Sequence, residues 1–157
     1  MNILLVDDHP VVRQGVRLML AQDPELNVVA EAASAAEALA FVHDTTLELD
    51  LVVLDLNLPD QPGLVVLVET TKVRPQLPVL ILTIQPAEHM AVRALKLGAS
   101  GFLNKEAAPE ELISAVHSIS RGKKYIGQSL AEWLAMDVSG RRESMPHERL
   151  SDREYQV

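Results

Sequence analysis

Short runs of aliphatic residues alternate with longer amphipathic stretches along the first 122 residues of the chain. The aliphatic runs predict strands at residues 2–6, 27–32, 51–55, 78–83 and 101–103. Apolar positions at helical spacing between them predict helices at about 10–22, 35–43, 64–72, 87–97 and 109–122. Strands and helices in this order indicate a doubly wound α/β domain, in which helices cover both faces of a five-stranded parallel sheet.

Capping and turn residues mark an end of four of these helices. Pro10 stands at a predicted first helical position, and Ser34 with Glu37 three residues later forms a capping box before the second helix. Gly98 and Gly122 follow the last apolar positions of the fourth and fifth helices, where glycine commonly ends a helix.

The pattern changes after Gly122. A short amphipathic linker helix is predicted from the spacing of Tyr125, Ile126, Leu130, Trp133 and Leu134. Residues 137–149 mix Ser, Gly, Pro and charges of both signs, a composition typical of linkers. Ser151 and Glu154 then stand in capping-box spacing. We therefore predict a domain over 1–122, a linker with a short helix over 123–149, and the start of another helix at 150–157.

Composition limits the kinds of function that the chain can have. The net charge of −8 repels a nucleic-acid backbone, which predicts that these residues bind DNA poorly. The absence of cysteine excludes disulfides and thiolate metal sites and fits a reducing compartment. No apolar run approaches the ~18 residues that a membrane span requires. With no basic leader before Asp7, we expect no export and a cytoplasmic protein without membrane contact.

Polar residues stand at the carboxyl ends of four predicted strands. Asp7 and Asp8 follow the first strand, Asp55 ends the third, Thr83 ends the fourth, and Lys105 lies just past the fifth. Because the carboxyl ends of parallel strands meet at one edge of a sheet, where ligands bind, we expect these side chains to converge.

Three carboxylates in one crevice repel each other, and a bound cation would offset that repulsion. An all-oxygen set favours a hard ion, Mg²⁺ or Mn²⁺, over zinc. We expect Asp8 and Asp55 to bind this ion directly, the backbone carbonyl of Asn57 to complete the protein ligands, and Asp7 to contact it through water.

Lys105 and Thr83 would then place a positive charge and a hydroxyl donor opposite the metal. The space between ammonium, hydroxyl and cation suits a phosphoryl group, because phosphoryl transfer depends on positioning and electrostatic stabilisation.

Four segments resemble the receiver motifs of response regulators: Val6-Asp7-Asp8-His9-Pro10, Leu54-Asp55-Leu56-Asn57-Leu58-Pro59, Leu82-Thr83 and Gly101-Phe102-Leu103-Asn104-Lys105. Their order and spacing fit as well, since Thr83 follows Asp55 by 28 residues and Phe102 follows Thr83 by 19. The resemblance covers about residues 1–122 and implies a flavodoxin-like or CheY-like sheet with strand order 2-1-3-4-5.

The resemblance also implies a chemistry. Asp55 would attack the phosphohistidine of a sensor histidine kinase and form an acyl phosphate that Mg²⁺ and Lys105 stabilise. Thr83 would then turn toward the phosphoryl oxygens and Phe102 would pack inward behind it, which makes these two residues a switch. Apart from promoting its own phosphorylation and dephosphorylation, such a domain is not an enzyme. A phosphorylation-dependent homodimer is also implied.

Within that family, Asp7-Asp8-His9-Pro10 and residues 150–157 resemble the NarL/FixJ class, whose second domain is a LuxR-type helix-turn-helix. The final eight residues resemble the first half of that domain's first helix, so we expect a truncated regulator that would contact DNA only through its missing part. The alternative is a stand-alone receiver that passes phosphate along a relay or docks on a partner protein.

Other readings of the same residues fit less well. An aspartyl-phosphate hydrolase would have an acid two residues after its nucleophile, where this chain has Asn57. A dinucleotide-binding domain would have a glycine-rich turn after the first strand. His9 precedes Pro10 and is explained as a helix-entry residue. Asn57 and Gln85 flank the approach of a hydrolytic water, and Asn104 stands where the family usually has an apolar residue.

Overall fold

A computed structural model of the chain describes residues 1–84, 88–127 and 131. The secondary-structure elements are β1 (Asn2–Val6), α1 (Pro10–Leu20), β2 (Asn27–Ala32), α2 (Ala35–His43), β3 (Leu51–Leu54), α3 (Gly63–Val73), β4 (Val79–Thr83), α4 (Glu88–Lys96), β5 (Gly101–Asn104), α5 (Pro109–Ser120) and β6 (Tyr125–Ile126). The strands form one parallel sheet in the order β2-β1-β3-β4-β5-β6. The predicted order 2-1-3-4-5 is confirmed, with a sixth strand added at the β5 edge.

Alternate side chains of the central strands enter two different cores, one on each face of the sheet. Leu4 and Val6 of β1 pack with α2, α3 and α4, whereas Ile3 and Leu5 pack with α1 and α5. The strands are buried on both faces because helices cover both sides, which explains their continuous aliphatic runs. The predicted doubly wound architecture is confirmed.

The helices and strands lie close to where the sequence pattern predicts them. The bounds of the five predicted strands and five predicted helices agree with the structure to within two residues. The Ser34 side chain accepts a hydrogen bond from the Glu37 backbone at 3.1 Å, as the predicted capping box requires. Glu37 Oε1 accepts one from Ala33 N at 2.8 Å, one residue before the N-cap. Gly98 and Gly122 have φ angles of 111° and 84°, which glycine adopts without strain.

The prediction for Tyr125 and Ile126 was wrong, because they form a short strand and not the start of a linker helix. These residues pair with Gly101 and Phe102 of β5, and Tyr125 N donates to Ser100 O at 3.0 Å. A side chain on Gly101 would meet the Tyr125 carbonyl at 2.9 Å, so glycine permits this close approach. Two residues are too few for strand alternation to show in a sequence. Leu130, Trp133 and Leu134 of the predicted linker helix, residues 137–157 and Gln85 lie outside the described residues.

Helix length bears on membrane insertion. Among the residues that the structure describes, no helix has both the length and the apolar character that crossing a membrane requires.

Arg74 joins the end of α3 to the end of α2. Its guanidinium donates to the carbonyls of Val42 and Leu47 at 2.8 and 3.0 Å, and also to that of Asp44. The bonds to Val42 and Asp44 satisfy carbonyls that the end of a helix leaves without partners, and the bond to Leu47 holds the segment that follows α2. We expect Arg74→Ala to lower the free energy of unfolding by about 2 kcal/mol, because it removes bonds to a charged donor and leaves carbonyls unpaired.

Urea denaturation measures this loss. Lys72→Ala is the matched control, since Lys72 is an exposed basic residue in the last turn of the same helix. Equal stability losses in the two variants would contradict the role assigned to Arg74.

Candidate functional site

The predicted acidic and basic side chains meet at the carboxyl edge of the sheet. Asp7 and Asp55 follow β1 and β3, and each is 3% exposed. Lys105 Nζ lies 2.5 Å from Asp7 Oδ2 and 3.0 Å from Asp55 Oδ2, and the Lys105 side chain is 7% exposed. One buried ammonium therefore bridges two buried carboxylates from neighbouring strands.

Asp8 adds a third carboxylate to this group. Asp7, Asp8, His9 and Asp55 offer ligand atoms that all lie within 4.8 Å of one another. The Asp8 Oδ1 atom is buried and accepts no hydrogen bond, and His9 Nδ1 lies 3.0 Å away, a contact that is an ion pair only when His9 is protonated. Because a buried carboxylate oxygen without a hydrogen bond is costly, this donor set fits a hard divalent cation.

The β1–α1 loop is held by Arg13, a residue that the sequence analysis missed. Arg13 Nη1 donates to the Asp7 carbonyl at 2.6 Å, while Arg13 Nε lies 3.2 Å from Glu31 Oε1 on β2. Arg17 contacts the other oxygen of Glu31 at 3.0 Å. Because 18 residues separate Arg13 from Glu31, no local sequence pattern indicates this ion pair. It could have been predicted only by knowing that β1 and β2 pair side by side.

Thr83 and Phe102 lie on the face of the sheet covered by α2, α3 and α4. They are 3% and 2% exposed, and both line a cavity of about 530 Å³ between α4 and the loop from β3 to α3. Their strands pair directly, and Lys105 N donates to the Thr83 carbonyl at 2.8 Å. The predicted switch residues are therefore neighbours, connected through the backbone to Lys105.

The β3–α3 loop lies beside Asp55. Asn57 is exposed, and its backbone N donates to Asp55 Oδ1 at 3.2 Å. The Gly63 N–H closes the loop by donating to the Leu56 carbonyl at 2.8 Å. A Cβ on Gly63 would lie 2.5 Å from the Asp55 carbonyl oxygen, so only glycine lets α3 begin this close to the site.

The polar residue before Lys105 has a structural explanation. Asn104 Oδ1 accepts a hydrogen bond from Glu106 N at 2.8 Å, and the Asn104 carbonyl accepts one from Ala107 N at 2.9 Å. These two hydrogen bonds form a tight turn at the end of β5, and Lys105 lies in that turn.

A second acidic group lies away from this site. His117 Nε2 of α5 is 2.5 Å from Asp23 Oδ2, in the segment between α1 and β2, and Glu25 lies nearby. The hydrogen bond from His117 holds the pKa of Asp23 below its usual value. This pair connects two elements and shares no residue with the Asp55 group.

Comparison with known proteins agrees with these observations. Residues 3–117 match the response regulator receiver domain family. The chain is 31% identical over 157 residues to the response regulator UvrY of Escherichia coli K12, covering 99% of this chain and 71% of that protein. It is 33% identical over 141 residues to the nitrate/nitrite response regulator NarL of the same organism, covering 90% and 64%.

Solved structures show the same relationship. The crystal structure of a LuxR-family two-component response regulator from Aurantimonas sp. SI85-9A1 superposes with a TM-score of 0.82 at 36% identity, over 88% of this chain and 97% of that one. The isolated receiver domain of RcsB from Salmonella enterica serovar Typhimurium, solved with phosphomimetic BeF₃⁻, gives 0.77 at 27% identity, over 84% and 96%. The chain therefore belongs to the receiver domains of two-component response regulators of the LuxR/NarL class.

Proposed function

We propose that Asp55 accepts a phosphoryl group from the phosphohistidine of a sensor histidine kinase in the cytoplasm. A carboxylate oxygen of Asp55 forms the new P–O bond while the P–N bond to the imidazole breaks, and the imidazole keeps a neutral ring by taking a proton from solvent. The single observation that carries this proposal is the Lys105 ammonium between the buried Asp7 and Asp55 carboxylates.

The residues that would hold Mg²⁺, or Mn²⁺, are the carboxylates of Asp8 and Asp55 and the backbone carbonyl of Asn57, with Asp7 contacting the ion through water. The Asp8 oxygen that accepts no hydrogen bond and the all-oxygen character of this set support the assignment. When bound, such a cation offsets the excess negative charge and stabilises the charge on a phosphoryl group in transfer.

Lys105 and Thr83 have roles after transfer. The Lys105 ammonium, now paired with two carboxylates, would bind a phosphoryl oxygen, and the Thr83 hydroxyl would donate to another. Because Phe102 is already buried and lines the same cavity as Thr83, movement of Thr83 toward the phosphoryl group would change the packing around Phe102. Phosphorylation would thereby alter the face formed by α4, β5 and α5, favour a homodimer and regulate DNA binding by a following helix-turn-helix domain.

Incubation with acetyl phosphate, followed by intact-mass spectrometry, tests the metal requirement. We expect one added phosphoryl group in Mg²⁺ and only a trace in EDTA, because Lys105 offers a single positive charge against three carboxylates and an incoming phosphate. Equal phosphorylation in both buffers would contradict the metal assignment. No phosphorylation in either would contradict the acceptor role.

A further inference from the structure

Asp60 connects the β3–α3 loop to a neighbouring helix. Its Oδ1 accepts a hydrogen bond from Ala35 N and its Oδ2 accepts one from Ala36 N, both at 2.9 Å. These N–H groups belong to the first turn of α2, where backbone donors have no partner within the helix and a negative charge is favoured. The same two bonds lower the pKa of Asp60, so its carboxylate is ionised at neutral pH.

Helix α2 also has a cap of its own. The Ser34 hydroxyl accepts from Glu37 N at 3.1 Å, and the Ser34 carbonyl accepts from Ala38 N at 3.0 Å. Ser34 and Asp60 thus accept hydrogen bonds from different N–H groups of α2. What Asp60 adds is a link between two segments 25 residues apart in the chain.

The β3–α3 loop also borders open space. The cavity of about 530 Å³ that Thr83 and Phe102 line is also lined by loop residues 56–62. At its base the loop is held by the bond from Gly63 N to the Leu56 carbonyl. Asn57 N is held by Asp55 Oδ1 at 3.2 Å, but the Asn57 carbonyl belongs to the next peptide unit, on the side toward Asp60. Without the bonds from Asp60 to α2, that part of the loop would have room to shift, and the Asn57 carbonyl would shift with it.

We propose that Asp60 is a positioning residue for the metal site, holding the loop so that the Asn57 carbonyl stays where it would bind the cation. The inference rests on the proposed function, because it concerns the same Mg²⁺ site. Groups that orient a metal ligand without touching the ion affect metal affinity strongly. Loss of the Asp60 bonds should thus weaken Mg²⁺ binding and leave the Asp55 nucleophile intact.

The experiment is calorimetric titration of the unphosphorylated chain with Mg²⁺, for the wild type and three variants. We expect Asp60→Ala to weaken Mg²⁺ binding about fivefold, somewhat less than the loss of a group bonded directly to a metal ligand. The Mg²⁺ affinity of Asp60→Asn should lie between those of the wild type and Asp60→Ala. Its amide has one acceptor oxygen, so it can keep one of the two hydrogen bonds that the carboxylate accepts. Ser34→Ala should bind Mg²⁺ as the wild type does, since it weakens the same helix end without releasing the loop.

A second readout separates positioning from general damage. At saturating Mg²⁺, the Asp60→Ala protein should be phosphorylated by acetyl phosphate at the wild-type rate. Wild-type Mg²⁺ affinity in both Asp60 variants, or an equal loss in Ser34→Ala, would overturn the inference while the proposed function stands. Absence of Mg²⁺ binding by the wild type would overturn the proposed function and this inference with it.

Discussion

The Asp55→Asn protein is expected to incorporate at least about 100-fold less phosphate from acetyl phosphate than the wild type, because a neutral amide is a far weaker nucleophile than a carboxylate. The substitution keeps the shape of the side chain, so the buried position after β3 should still be filled. It also removes one of the two carboxylates that Lys105 contacts and one proposed metal ligand. Loss of the nucleophile, of a Lys105 contact and of a metal ligand all reduce phosphoryl transfer to this position.

Intact-mass spectrometry over a time course measures this loss. The matched control is Asp44→Asn, which changes an exposed aspartate in the turn after α2 and should leave incorporation unchanged. Circular dichroism verifies that both variants are folded. Undiminished incorporation in Asp55→Asn would contradict the assignment of the acceptor.

Lys105→Ala is expected to separate phosphorylation from its structural consequence. Asp55 keeps its carboxylate and should still accept phosphate, slowed by up to about 100-fold because a charge-stabilising donor has been removed. Without the ammonium, however, the acyl phosphate has lost the group proposed to bind its oxygens. A ligand shifts a conformational equilibrium only by binding one state more tightly, so the phosphoryl group should no longer favour the active state.

Hydrogen exchange of residues 88–120, compared before and after phosphorylation of each protein, measures the shift toward the active state. The wild type should show a change in exchange across α4, β5 and α5, and Lys105→Ala should show little. Lys96→Ala, which alters an exposed lysine in the last turn of α4, serves as the control and should respond as the wild type does. A wild-type response in Lys105→Ala would show that the switch works without this residue.

The sequence predicted most of the fold because its signals are local. Buried parallel strands need continuous aliphatic runs, and helices between them need apolar positions at helical spacing, so both patterns can be seen without tertiary information. The meeting of Asp7, Asp55 and Lys105 could also be predicted, because each follows a strand and all parallel strands end at one edge.

The features that could not be predicted from the sequence depend on contacts between distant segments. The two-residue strand β6 is too short for a pattern, and it exists because Gly101 lets the backbone at Tyr125 approach. Arg13 and Asp60 look like ordinary surface charges until the fold brings Glu31 and the start of α2 next to them. Such links require three-dimensional distances, which periodicity does not contain.

The most direct test of the account is to locate the phosphoryl group in the wild-type chain. Protein phosphorylated by acetyl phosphate in Mg²⁺ is treated with borohydride, which reduces an acyl phosphate to an alcohol and leaves free carboxylates unchanged, and its peptides are then sequenced by mass spectrometry. The account predicts that Asp55 alone becomes homoserine. Reduction at Asp7 or Asp8 instead, with Asp55 unmodified, would contradict it.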